Sequence, residues 1–281
     1  MNNDSLLENN KYHYKLIHRF DWLYKIMPIA LANIFCKIFT PNERRRIVET
    51  ILGIRFYVDP FTSMGRSITL EGMYNEPKTI DIFRSYIKNG NTVLDIGANE
   101  GFYSILASKL VGNGGMVIAI EPQSSLIDII EINFKINNIL NYRIYHNAFG
   151  DSDNRIAFLN LRPAISSAPA SLIRKYRFCQ RKEEVKFVSL RKIIDDCNLD
   201  IIDFIKIDIE GYEYKAVLEL LPFIKIKKIR KIYIDYHSEL LLLQGINPAN
   251  IHNLLINNGM ILKLGDIDNL SSYLLYTLPE K

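Results

Sequence analysis

Cysteine is scarce in this chain: Cys36, Cys179 and Cys197 are the whole supply in 281 residues. Their number is odd, they stand far apart, and none forms a close C-x-x-C pair. A disulfide framework and a thiolate zinc site are both disfavoured, and a reducing, cytoplasmic setting suits the chain. Charge of one sign is equally lacking. A formal net charge of +4 is too slight to indicate a nucleic-acid partner, and none is expected. No secretory signal is expected either, because residues 1–8 are polar and carry acids, unlike the basic start of such a signal. Nor is there a clean apolar run of membrane-spanning length. Residues 20–39 come nearest, but Asp21, Lys25, Pro28, Asn33 and Lys37 interrupt them, and a span wants about 20 mostly apolar residues. Two readings stay open for this segment: helices packed on the rest of the chain, or a helix lying in the plane of a membrane surface. Lys11, Lys15, Arg19 and the run Arg44-Arg45-Arg46 flank it and suit a peripheral membrane contact.

What is present is a chain 48% hydrophobic and 23% charged, an ordinary globular balance, with no repeat and no low-complexity linker. Residues 1–50 read as an N-terminal helical extension and residues 51–281 as one α/β domain. Short strands are expected at 55–59 and 67–70, then a helix over 79–88 that Asn89-Gly90 ends. From there strands and helices alternate. Strands are expected at 92–96, 116–120, 142–146, 203–207 and 231–235. Helices are expected at 102–110, 126–137, 214–221 (stopped by Pro222) and 251–257. Residues 260–264 and 272–278 make a closing pair, and 155–160 with 184–188 make extra edge strands around a basic loop. Such alternation implies a mostly parallel sheet with right-handed crossovers.

The motif Val93-Leu94-Asp95-Ile96-Gly97-Ala98-Asn99-Glu100-Gly101 ends a strand in a carboxylate and opens a helix after a glycine-containing turn. Ligands of open α/β sheets sit at that end of the strands. A dinucleotide site wants G-x-G-x-x-G, so that pyrophosphate can rest on the helix N-terminus. Here Asn99 replaces the second glycine, and Asp95 puts negative charge where phosphate would go. That charge suits the ammonium and sulfonium of S-adenosylmethionine better. Glu121, directly after the second strand and before Pro122, can accept both hydroxyls of a ribose. Nicotinamide sites use the same device, so only the pair Asp95 and Glu121 favours S-adenosylmethionine. In the run 204–213, alternation puts Lys206 and Asp208 on one face of a strand. A lysine and a carboxylate in a buried strand are expensive unless paired, which points to a functional or structural ion pair.

Together, residues 95–104, Glu121-Pro122, Asn133 with Asn137, and Lys206-Ile207-Asp208-Ile209-Glu210-Gly211-Tyr212-Glu213 resemble the FkbM-type methyltransferases. The resemblance covers residues 72–236, and the last motif is the most specific. Tyr74-Asn75-Glu76-Pro77 is similar to the family's aromatic-x-Glu-Pro segment. Residues 188–194 resemble its Thr-Leu-Asp-x-Leu stretch, with Arg191 where an Asp is usual. Asp235-Tyr236-His237 resembles its Glu-x-His strand end, with the shorter acid. The resemblance implies a class I methyltransferase fold, Rossmann-like, with a mostly parallel seven-stranded sheet and an antiparallel closing strand. It implies S-adenosylmethionine-dependent O-methylation of a hydroxyl on a sugar, glycan or other small molecule. It further implies that Asp95, Gly97, Ala98, Asn99, Gly101, Glu121 and Pro122 hold the cofactor, with Asn147 and Ala148 near the adenine.

A sugar hydroxyl attacks poorly unless a base takes its proton or a metal lowers its pKa. Asp208, Glu210 and His237 are the expected catalytic residues and the pool for taking that proton, with Asp208 the first choice and His237 a candidate base. Asp208, Glu210 and Asp235 could also hold Mg²⁺, although no metal site is assigned. His146 reads as a core histidine. Arg174, Lys175, Arg177, Arg181 and Lys182 read as a solvated charge run or as contacts for an anionic acceptor. Two rivals stand beside the methyltransferase: a nicotinamide-dependent oxidoreductase on a similar sheet, and a non-catalytic membrane-surface scaffold that retains the domain.

Overall fold

A computed structural model describes residues 45–60, 62–74, 76–161, 170–174, 181–266 and 273–279. Most of the expected N-terminal extension, the segment 20–39 and much of the basic loop, including Lys175 and Arg177, lie outside the described residues. Among the described residues no helix is long and apolar enough to cross a membrane.

The described chain opens with an antiparallel pair, β1 (Arg46–Glu49) and β2 (Arg55–Val58). Arg46 is buried, and Arg45 reaches inward to Glu100. These two arginines are thus built into the domain and do not present a basic face to a membrane. Strand β1 also replaces helix at the end of the extension expected over 1–50. Helices α1 (Ser63–Glu71) and α2 (Pro77–Tyr86) follow. The strand expected at 67–70 lies inside α1. Thr62 caps that helix by accepting the Gly65 N–H at 2.9 Å, and Gly72 closes it in the left-handed region at φ 70°. Caps at both ends outweigh the β-branched pair Ile68 and Thr69.

The main sheet contains β3 (Thr92–Ile96), β4 (Met116–Ile120), β5 (Tyr142–Tyr145), β9 (Phe204–Ile207), β10 (Lys231–Asp235), β11 (Ile261–Leu264) and β12 (Tyr273–Thr277). Their order is β11-β12-β10-β9-β3-β4-β5. From β5 to β10 all neighbours are parallel, and β12 runs antiparallel to both β10 and β11. A second sheet holds β6 (Ala148–Phe149), β8 (Arg181–Val188) and β7 (Ile156–Leu161) in that order, the latter two being the expected edge strands.

Helices cover both faces. Leu94, Ile118, Ile205 and Ile232 pack toward α5 (Leu190–Cys197), α6 (Glu213–Lys225) and α8 (Ala249–Asn257), a short α7 (Ser238–Leu242) preceding the last. Val93, Val117, Ala119 and Phe204 pack toward α2, α3 (Phe102–Val111) and α4 (Ser124–Ile136). Fully apolar strands are the signature of a parallel sheet covered on both sides. Helix α6 passes through Pro222, where a stop was expected. The carbonyl that loses its partner belongs to exposed Leu218, so water can serve it.

Two side chains at the end of α4 tie the N-terminal hairpin to that helix. The Asn133 carboxamide accepts the Tyr57 N–H at 2.7 Å and donates to the Glu100 carbonyl at 2.8 Å. Asn137 pairs with both backbone groups of Arg55. Helix α4 thereby satisfies the open edge of β2 with amides. From β3 the chain builds outward through β4 to β5, then crosses to β9 and β10 on the other side. The reversal leaves a crevice at the carboxyl ends of β3 and β9.

Candidate active site

A cavity of about 860 Å³ opens at that crevice. Gly97, Asn99, Glu121, Pro122, Asn147, Ala148, Asp208, Glu210 and His237, all expected at a site, line it. Asp95, Ala98 and Gly101 do not. Gly97 has φ 85°, and a Cβ there would come within 1.9 Å of the Asp208 carbonyl oxygen. Only glycine lets the turns after β3 and β9 lie this close.

At the β4 side, Glu121 is 6% exposed. One of its oxygens accepts the Asn99 N–H at 2.8 Å and the other the Gln123 N–H at 2.9 Å. Burial pushes its carboxyl up to about 7, against the pull of those two N–H groups. Asn99 adopts φ 53°, which turns its N–H toward the acid. Ile120, Pro122, Leu126, Ile129, Ala148 and Phe149 give this side an apolar wall. His146 is exposed rather than in the core, and its Nε2 lies 3.1 Å from the Pro122 carbonyl.

Asp95 sits behind this wall. It is wholly buried, with Oδ2 accepting from Ser104 Oγ at 2.6 Å and Oδ1 3.2 Å from Lys206 Nζ. The same ammonium lies 3.3 Å from Asp208 Oδ2 and donates to the Gly97 carbonyl at 3.2 Å. Burial works against the Lys206 charge, but Asp95 and Asp208 more than restore it and hold its pKa above the usual lysine range. Lys206 is therefore a strut that ties β3 to β9, and Asp95 is its counter-ion. An acid at the strand end was legible in the sequence; its burial against a lysine two strand-residues from Asp208 was not.

At the β9 and β10 side the cavity is rich in carboxylates. Asp208, about one-third exposed, faces it together with Glu210, Asp235 and Glu76. Glu210 holds φ 50° and Gly211 φ 97°, two successive left-handed residues that re-aim the chain after β9. His237 Nδ1 lies 2.7 Å from the buried Glu213 Oε1, and its Nε2 3.2 Å from Glu210 Oε1. Burial lowers the His237 pKa, but the hydrogen bonds to Glu210 and Glu213 overcome it and raise the group to about 11. Those contacts favour the imidazolium form, in which both ring nitrogens donate. His237 thereby clamps the left-handed turn. Burial and the Asp208 charge push Asp235 up to about 7.

Several residues here escaped sequence reasoning as site residues. Tyr103 donates to Glu76 at 2.5 Å, Tyr74 stands beside them, and Arg45 grips Glu100 through two hydrogen bonds at 2.8 and 3.1 Å. Tyr74 and Glu76 carried a signal in the segment before Pro77, whereas nothing local to Arg45 announced a partner 55 residues away. Among the described residues no cluster of three or more His, Cys, Asp and Glu side chains is arranged to hold a metal ion. The pocket does fit a nucleoside bearing a cationic amino-acid tail. An apolar wall and the buried acid Glu121 stand on the β4 side, and several carboxylates stand on the β9 and β10 side.

A family model, the methyltransferase FkbM domain, matches residues 95–255. A second, for protein-L-isoaspartate (D-aspartate) O-methyltransferase, matches residues 29–153. Among curated proteins, a ribosomal protein L11 methyltransferase of Thermotoga petrophila is 31% identical over 42% of this chain and 41% of its own length. A ribosomal RNA large subunit methyltransferase E of Vesicomyosocius okutanii is 32% identical over 37% of this chain and 51% of its own. The matched stretch thus spans about two-fifths to one-half of those relatives. Among solved structures, an S-adenosylmethionine-dependent O-methyltransferase of Thermotoga maritima aligns with a TM-score of 0.44 and 11% identity, covering 84% of this chain and 78% of its own. These relatives remove one expectation. The slight net charge was read as excluding nucleic acid as a partner, yet proteins named for ribosomal RNA and ribosomal protein methylation are among the matches, so that exclusion does not stand.

Proposed function

This chain belongs to the FkbM methyltransferase family and takes its methyl group from S-adenosylmethionine, and from that premise we propose that it methylates a hydroxyl oxygen. The acceptor fits best as a sugar ring, whether free, in a glycan or as a ribose of RNA. The observation that carries the reading is the open face of Asp208 at the end of β9, a carboxylate 3.3 Å from Lys206 Nζ that reaches the cavity. An ionised carboxylate only accepts hydrogen bonds, so it receives and orients a hydroxyl.

The bound cofactor supplies an electrophilic methyl carbon. Everything else falls to the chain. Glu121 offers its remaining lone pairs to the ribose, and the backbone around Gly97 and Asn99 lets the ligand approach. Asp208 directs the acceptor oxygen, while Glu210 and His237 hold the turn that carries it. Asp95 acts on this site through Lys206 rather than by touching the ligand. Holding the two reactants in line accounts for a large share of the rate in any displacement of this kind.

Methyl-labelled cofactor incubated with a cell extract containing RNA, ribosomal proteins and glycans tests the reading. Label recovered on oxygen in an acceptor that Asp208→Asn no longer methylates supports it. Label recovered on nitrogen or carbon contradicts it.

A further inference from the structure

We propose that Asp235 takes the proton from the acceptor hydroxyl while Asp208 holds that hydroxyl in line, an assignment that rests on the hydroxyl reading above. Four carboxylates meet at this end of the cavity, and their partners set them apart: Glu76 accepts from Tyr103. Asp208 has Lys206 Nζ at 3.3 Å and His237 Nε2 at 3.9 Å. Glu210 has His237 Nε2 at 3.2 Å and Arg174 at 3.7 Å. Among the described residues no side chain forms an ion pair or a hydrogen bond with the Asp235 carboxylate.

Position makes the same distinction. The parallel register pairs Ile234 with Ile207, so Asp235 and Asp208 are the next residues of neighbouring strands. Both line the cavity. The groups around Asp235 are Asp208 and Lys206 from β9, Tyr273 opposite it on β12, His237 beyond its own strand, Tyr233 within it, and Tyr74 and Glu76 from the segment before α2. Burial and the neighbouring Asp208 charge favour its protonated form, and His237 and Lys206 oppose them, leaving the carboxyl titrating at about 7. Where two acids lie side by side, the one that burial and its neighbour's charge raise is the one placed to exchange protons. A base is most effective when its pKa lies near the working pH, which Asp235 meets.

The step balances without a further reagent. The acceptor oxygen bonds to the methyl carbon as the carbon–sulfur bond breaks, and the electron pair of that bond stays on sulfur. The hydroxyl proton passes to an Asp235 carboxylate oxygen, and water collects it after the products leave.

Two measurements on the full chain test the assignment. The first is a carbon NMR titration of the ligand-free protein, labelled only at aspartate carboxyls so that Glu121 is silent. One signal should titrate near pH 7 and vanish in Asp235→Asn; a wild type with no aspartate titrating there overturns the proposal. The second is methyl transfer from labelled cofactor to the oxygen acceptors of the extract across pH 6–8. Wild-type turnover should rise through about pH 7 as the base deprotonates. Asp235→Asn should lose about 10²–10⁴-fold and the pH dependence with it, and Asp235→Glu should recover part of both. Calorimetry should show that Asp235→Asn still binds S-adenosylmethionine. Methyl on oxygen with full turnover in Asp235→Asn sinks only the choice of base, whereas methyl on nitrogen sinks the hydroxyl reading itself.

Discussion

The two sides of the cavity are built differently. On the β4 side the acid Glu121 is held by backbone N–H groups of Asn99 and Gln123, both within one turn of their own strand ends. On the β9 and β10 side Asp208 and Glu210 are held by side chains, Lys206, His237 and Arg174, brought from separate elements. A backbone cradle depends on where strands end and helices begin, and it tolerates changes in side chains around it. A charge network depends on every member. The first suits a ligand that must always be the same, and the second suits chemistry that needs tuned acids.

The comparison predicts where the molecule is fragile. The largest effect is expected from Lys206→Met, which strands the wholly buried Asp95 without a counter-charge. Breaking a buried pair by removing one partner costs about 3–5 kcal/mol, so denaturant unfolding should show a loss of that order. A change within about 0.5 kcal/mol would mean that Lys206 is no strut. Next in size is Glu121→Ala, which should weaken S-adenosylmethionine binding about tenfold or more, the worth of a charged hydrogen bond at about 1.5–3 kcal/mol. Unchanged affinity in a folded variant would remove Glu121 from the site.

Smaller shifts sharpen the contrast. His237 is raised to about 11, so its stabilising contribution is complete below its ordinary value of 6.5 and is lost as pH rises toward 11. Glu213→Gln removes the charge beneath the ring, so nitrogen NMR should find His237 deprotonating at clearly lower pH. An imidazolium that persists unchanged in the variant would show that Glu210 suffices. The smallest effect concerns Glu121 itself. Its folded pKa of about 7 stands above its ordinary 4.5, so the folded chain binds the extra proton between those values and loses stability as pH rises through that window. Glu121→Gln should flatten that slope relative to wild type in the ligand-free chain; an identical slope in both would assign it elsewhere.

How far the sequence could be read follows the same division. The positions of the parallel strands along the chain, the turn 97–101 and Glu121 were legible because each is a local pattern: a short apolar run, a glycine, an acid after a strand. Residues 67–70 misled because strand-like side chains lay between two caps, and caps are recognised only when both ends are seen together. Asp95 was legible as an acid at a strand end but not as the partner of Lys206, since alternation gives the face of a side chain and never its neighbour on another strand. His237 was legible as an ionisable group at a strand end but not as the partner of Glu213 and Glu210, two carboxylates that raise its pKa.

The division of the cavity is tested most directly by calorimetric titration of S-adenosylmethionine into Glu121→Ala and Asp235→Asn side by side, each with turnover measured on the same preparation. A cofactor half at β3 and β4 with a chemical half at β9 and β10 predicts that Glu121→Ala loses about tenfold or more in affinity. Asp235→Asn should bind within about twofold of wild type while its turnover collapses. Tight binding by Glu121→Ala together with lost binding by Asp235→Asn would contradict the account.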